Sequence, residues 1–166
     1  MLRRRLLLFC LVAIAVQLVA IGSANQARMS LAGKWIPVPV PPNTIPRGIE
    51  GPWGAEVTIT QDTYALTIDY VSGGRSHAPV RLIYNFDGTE RRVPYAASVA
   101  PAERITRAQW READLVLTTT WPREDPGPVV ITDVLTPLAP DSLRVTRTQR
   151  FGENAPSASW FFRRAK

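Results

Sequence analysis

The feature that most constrains this chain is an alternation of apolar and polar residues with a period of two, broken roughly every eight to twelve positions by turn formers. Val57 and Ile59 alternate with Glu56, Thr58 and Thr60, and Gln61-Asp62 offers a tight reversal. Leu66, Ile68 and Tyr70 share one face of the next run, which ends at Ser72-Gly73-Gly74. Val80, Leu82, Tyr84 and Phe86 follow, stopping at Asp87-Gly88. Successive side chains of a strand point to opposite faces, so each run presents one apolar face to a core.

The second half repeats the pattern. Residues 102–111 read as a strand with Glu112-Ala113-Asp114 as its turn, and Leu115, Leu117 and Thr119 lead to Trp121. Residues 122–128 form a loop, 129–137 the next strand, and Ala139-Pro140-Asp141-Ser142 reverses it into Leu143, Val145 and Arg147. A loop at 152–156 precedes a closing strand over 158–164. Helical periodicity is confined to a short turn expected near 96–103. About eight to ten consecutive strands joined by short turns predict an all-β, antiparallel up-and-down barrel, because closure removes both sheet edges. An open two-layer sandwich fits the same pattern.

Upstream lies a different kind of segment. Arg3, Arg4 and Arg5 precede an apolar run over residues 6–21, followed by Gly22, Ser23 and Ala24. A basic stretch, an apolar helix and a small-residue exit make a secretory signal peptide over residues 1–24, cleaved after Ala24 or alternatively Ala27. The run is 16 residues, short of the roughly 20 that span a hydrocarbon core. An uncleaved inner-membrane anchor is the alternative to a periplasmic or secreted product. Cys10 lies inside the run, which argues against lipid attachment at that residue.

Cleavage removes three of the arginines behind the formal charge of +6, leaving +3, and takes away the chain's one cysteine. So mild a charge, spread along the chain, does not describe a nucleic-acid surface. A cysteine-free exported domain is held by its core alone, and the remaining length supports one such core. Residues 25–54 then carry a first strand and a proline-rich loop, and 55–166 the rest of a single barrel domain. Between Pro37 and Pro52 lie Pro39, Pro41, Pro42 and Pro46. Proline fixes φ and removes a donor, so this stretch reads as an extended surface loop. Its PxxP spacing would also suit a partner's aromatic groove. Trp53, between Pro52 and Gly54, would serve as an exposed contact surface or a barrel lid.

Leu31-Ala32-Gly33-Lys34-Trp35 resembles the Gly-x-Trp opening of lipocalins and related calycins. The segments 57–62, 84–88, 110 with 115–117, 143–147 and 160–164 resemble small exported bacterial proteins of lipocalin-like type. The resemblance implies a tryptophan from the first strand packed across the closed base of a barrel, which gives Gly33 and Trp35 structural roles. It also implies a cup that binds or sequesters a small lipophilic molecule, a fatty acid or similar. The chain departs from the pattern by placing a proline-rich stretch after Trp35 and showing no late helix.

Candidate lining residues come from the apolar strand faces: Leu66, Ile68, Leu82, Tyr84, Trp110, Leu117, Trp121 and Val145. The same residues would equally pack a dry core. Arginines at 81, 104, 107, 144 and 147 fall in strands. An inward guanidinium could fork onto a carboxylate, with Arg147 the first candidate and Arg104 the second. Catalysis finds no constellation. His77 is the only histidine and follows a glycine-rich loop, no G-x-S-x-G elbow occurs, and Asp69 and Asp133 have nothing to tie them together. The reading is therefore a non-enzymatic binder with no cofactor and no metal. A filled barrel acting as an envelope interaction module is the alternative.

Overall fold

The computed structural model describes residues 29–41, 44–72, 77–96, 101–122 and 127–166. The leader, with its proposed signal helix and Cys10, lies outside these residues. Ten strands are present: β1 (Gly33–Pro37), β2 (Val57–Gln61), β3 (Ala65–Val71), β4 (Pro79–Asn85), β5 (Arg91–Ala96), β6 (Pro101–Arg111), β7 (Asp114–Trp121), β8 (Val129–Ala139), β9 (Ser142–Arg150) and β10 (Ser157–Arg164). They form one antiparallel sheet in the order β4-β3-β2-β1-β10-β9-β8-β7-β6-β5. Every sequential neighbour pairs except β4 with β5, and the first strand pairs with the last. The result is an up-and-down, nearly closed barrel of 10 strands.

The expected helical turn near 96–103 is corrected in part. Residue 96 ends β5 and residues 101–103 open β6, while 97–100 lie outside the described residues. Pro94, Arg91 and Arg92 hide β5 from a hydrophobicity pattern, since only Val93 among its described side chains is buried.

Where β4 meets β5 and β6, side chains replace the missing ladder. Thr106 Oγ1 donates to the Ile83 carbonyl across the seam, and Arg107 Nε donates to the Gly88 carbonyl at 2.7 Å. Inside, the Tyr84 and Thr119 hydroxyls share a 2.8 Å hydrogen bond between β4 and β7.

The two ends of the barrel differ. Short turns at 62–64, 86–90, 112–113 and 140–141 gather at one end, and the strand ends that the longer connections join, such as Pro37 with Val57 and Arg150 with Ser157, lie at the other. At the short-turn end Trp35 is buried, its indole N–H donates to the Leu31 carbonyl at 2.9 Å, and the Arg164 guanidinium lies 4.5 Å over its ring. Arg164 also donates to the carbonyls of Ala32, Ser30 and Pro140, so one side chain ties the approach to β1 and the end of β10 to the β8–β9 turn. A Cβ on Gly33 would run into that guanidinium. The Gly-x-Trp spacing therefore has a local cause: the glycine makes room for the cation that stacks on the tryptophan.

Leu66, Ile68, Tyr84, Leu115, Leu117, Leu135, Leu143 and Val145 fill the adjoining half of the interior and are fully or almost fully buried. Together with Trp35 and Ile59 they form a continuous apolar core.

Candidate functional site

The half of the interior toward the long connections is not filled. It holds a cavity of about 800 Å³, within the size range of small-molecule sites. Inward positions of β3, β4, β6–β10 form its wall, including Tyr70, Leu82, Arg104, Trp121, Asp133, Arg147 and Phe162. A barrel whose interior is part packed and part open can accept a small molecule.

The proline-rich connection is exposed over most of its length, as a surface loop would be, but its end turns inward and contributes to this cavity. Ile49, Pro52 and Trp53 are buried, and residues 50–54 line the cavity. Trp53, expected to be exposed, is only 2% exposed and packs on Phe162 with ring centroids 5.3 Å apart. Its φ is 62°, an uncommon backbone region for a bulky residue. Gly54 follows with a φ of 67°, and a Cβ there would meet the Val71 carbonyl oxygen. This sharp bend turns the indole inward. Prolines stiffen the approach to it.

Charged side chains stand in the same wall. Arg147 Nε and Nη2 donate to the two oxygens of Asp133, each at 2.7 Å, with both residues buried. Such a fork-to-fork pair is the geometry in which arginine holds a carboxylate best. The remaining terminal nitrogen, Nη1, donates to the backbone carbonyls of Gly51 at 3.3 Å and Glu50 at 3.5 Å. Arg147 thus fastens the proline-rich connection over the barrel interior. Burial opposes its charge, but the adjacent Asp133 carboxylate outweighs burial and leaves its pKa above the ordinary value. Arg104 is 6% exposed, lies 4.7 Å over the Trp121 ring and has its charge close to the Tyr70 hydroxyl. Burial pushes the pKa of Tyr70 up, and the two guanidiniums offset part of that rise. Burial also pushes Tyr84 up, and the charge of Asp133 adds to the effect.

The structure brings Arg104, Trp121 and Arg147 together in the cavity wall, along with Leu82. It places Tyr84, Leu117 and Val145 in the packed half of the core. Trp110 is half-buried against Phe86, with ring centroids 5.9 Å apart. Asp69 faces outward and pairs with Arg81 at 2.6 Å, and His77 is exposed. Among the described residues, no cluster of three or more histidine, cysteine, aspartate or glutamate side chains could hold a metal ion.

Sequence reasoning treated Asp133 and Arg147 as separate candidates and missed their pairing. The turn alone does not give it: counting back from Ala139 opposite Ser142 sets 133 opposite 148, and the register shift between Pro137 and Ala139 brings Asp133 opposite Arg147. Ile49, Pro52 and Gln149 in or beside the cavity carried no signal either. The topology is consistent with a calycin-like barrel. The sequence matches no protein-family model and no curated protein, so that likeness rests on the barrel and its closed end alone.

Proposed function

We propose that the protein is an exported, lipocalin-like, non-enzymatic binder that carries or sequesters a small, fatty-acid-sized lipophilic molecule in the open half of its barrel. The observation that carries this reading is the cavity of about 800 Å³ bounded by Leu82, Trp53 and Phe162 beside a fully packed core. Burying the apolar body of a ligand against these side chains supplies the favourable term, at roughly 25 cal/mol per Å² of apolar surface removed from water. The export half of the proposal rests on the basic, apolar and small-residue order of residues 1–24.

Native mass spectrometry of protein purified from its own host tests the reading. The expected spectrum contains a noncovalent adduct with the mass of one small lipid, on a chain that begins after Ala24 or Ala27. A protein that is repeatedly empty, and gives no fluorescence change when lipids are added, would remove the binder. A chain retaining residues 1–24 would remove cleavage.

A further inference from the structure

We infer that the open half of the barrel selects an aromatic acid, with a flat ring system against an aromatic wall and one negative charge beside Arg104. This narrowing of the ligand class rests on the binder reading above.

The charge follows from what is buried. Among the described residues the buried charged side chains are Arg104, Arg147 and Asp133, and all three line the cavity. Two are cationic and one is anionic, so the buried wall is net positive. Glu50 also lines the cavity but is exposed, where water weakens its field. Net charge inside a protein is costly, and an anion in the cavity offsets that cost.

The two arginines have different tasks. Asp133 fills the fork of Arg147, and the remaining nitrogen fastens residues 50 and 51, which makes Arg147 a structural clamp. Arg104 stands on β6 in the cavity wall, 4.7 Å over the Trp121 ring and with its charge close to the Tyr70 hydroxyl. A guanidinium carries five N–H donors, enough to keep its contacts within the protein and hold a carboxylate as well. The Tyr70 O–H adds a neutral donor to the same wall.

The ring follows from how the interior sorts its apolar side chains. Leu66, Leu115, Leu117, Leu135 and Leu143 belong to the packed core, whereas Leu82 is the only leucine among the described residues that line the cavity. Trp53, Tyr70, Trp121, Trp160 and Phe162 line it instead, with prolines at 37, 39, 52 and 79. Such side chains have few rotatable bonds, so the wall has little freedom to lose when a ligand enters. Aromatic faces also favour another ring, through tilted or offset contacts like that between Trp53 and Phe162. A flexible alkyl chain gains no such contact and loses more freedom on binding. The stacking of Arg104 on Trp121 puts the cation and an aromatic face at one place, where a ring bearing a carboxylate meets both.

The test is displacement of the neutral fluorophore N-phenyl-1-naphthylamine by 2-naphthoate, by 2-naphthamide, which keeps the ring and loses the charge, and by octanoate, which keeps the charge and loses the ring. In the native protein naphthoate should compete about tenfold better than the amide, the worth of a charge-assisted hydrogen bond, and about fivefold better than octanoate. Arg104→Gln should weaken naphthoate and octanoate about tenfold and leave the amide and the fluorophore within about twofold, while Arg104→Lys keeps the preference for the acid. A general loss of packing would weaken all of them together, so this split separates ligand reading from folding. The ranking in the native protein decides the matter even if Arg104→Gln does not fold. The amide or octanoate competing as well as naphthoate, or a folded Arg104→Gln protein with its preference for the acid intact, overturns the inference and leaves the binder reading standing. Failure of the fluorophore and all three ligands to bind overturns both.

Discussion

At Gly33 a single hydrogen stands where any larger side chain would collide with Arg164. That vacancy lets the guanidinium reach Trp35 and three backbone carbonyls. At the other end of the barrel Arg147 has a comparable role: its fork on Asp133 and its bonds to residues 50 and 51 couple the sheet to the connection above it. Removing one partner from a buried pair leaves an uncompensated charge and costs about 3–5 kcal/mol, whereas replacing both with apolar residues of similar size is close to neutral. Asp133→Leu and Arg147→Met should therefore each lower stability by about that amount, and the double variant should recover most of it. Urea unfolding of the three variants checks this. Additive losses in the double variant would mean the pair is not a coupled unit.

Between β4 and β5 the barrel lacks a ladder, and the Tyr84–Thr119 bond helps to hold this region from inside. Burial raises the pKa of Tyr84 in the folded chain. Above about pH 10 the unfolded chain releases a proton that the folded chain keeps, so stability is full below that pH and declines as pH rises through the folded value. Tyr84 alone contributes a fall of up to about 1.4 kcal/mol per pH unit. Tyr84→Phe should be less stable at pH 8 and should show a visibly shallower decline between pH 10 and 11 in urea titrations. An unchanged slope would place the tyrosine in contact with water.

Much of this element-scale picture was legible in advance. Strands β2–β4, β9 and β10 alternate because one face of each is largely apolar and the other wet, whereas β7 buries Leu115, Val116 and Leu117 in a row and β8 carries Asp133 on its inner face. Strand β5 was not legible, because its two arginines and its proline suit an edge and erase the alternation. The inward turn at Trp53 was also hidden. A tryptophan between a proline and a glycine reads as loop, and only the distant Phe162 and Arg147 reveal that the loop enters the barrel.

Over the whole molecule the interior divides into a packed half, closed by Trp35 and Arg164, and an open half roofed by residues 49–54. The first explains how a chain whose one cysteine, Cys10, lies outside the described residues can hold this fold through its core. The second supplies a place for a ligand. The Arg147–Asp133 pair lies in the wall of the open half and also fastens its roof, so the groups that stabilise the barrel also shape the site. The position of that site is tested most directly by enlarging Val80, a buried cavity-lining residue on β4, to tryptophan. N-phenyl-1-naphthylamine titration should give saturable binding of one fluorophore per native chain. Binding should be at least about tenfold weaker in Val80→Trp, with an unfolding transition that remains cooperative. Equal affinity in the native and the cavity-filled proteins would contradict a binding site in the barrel.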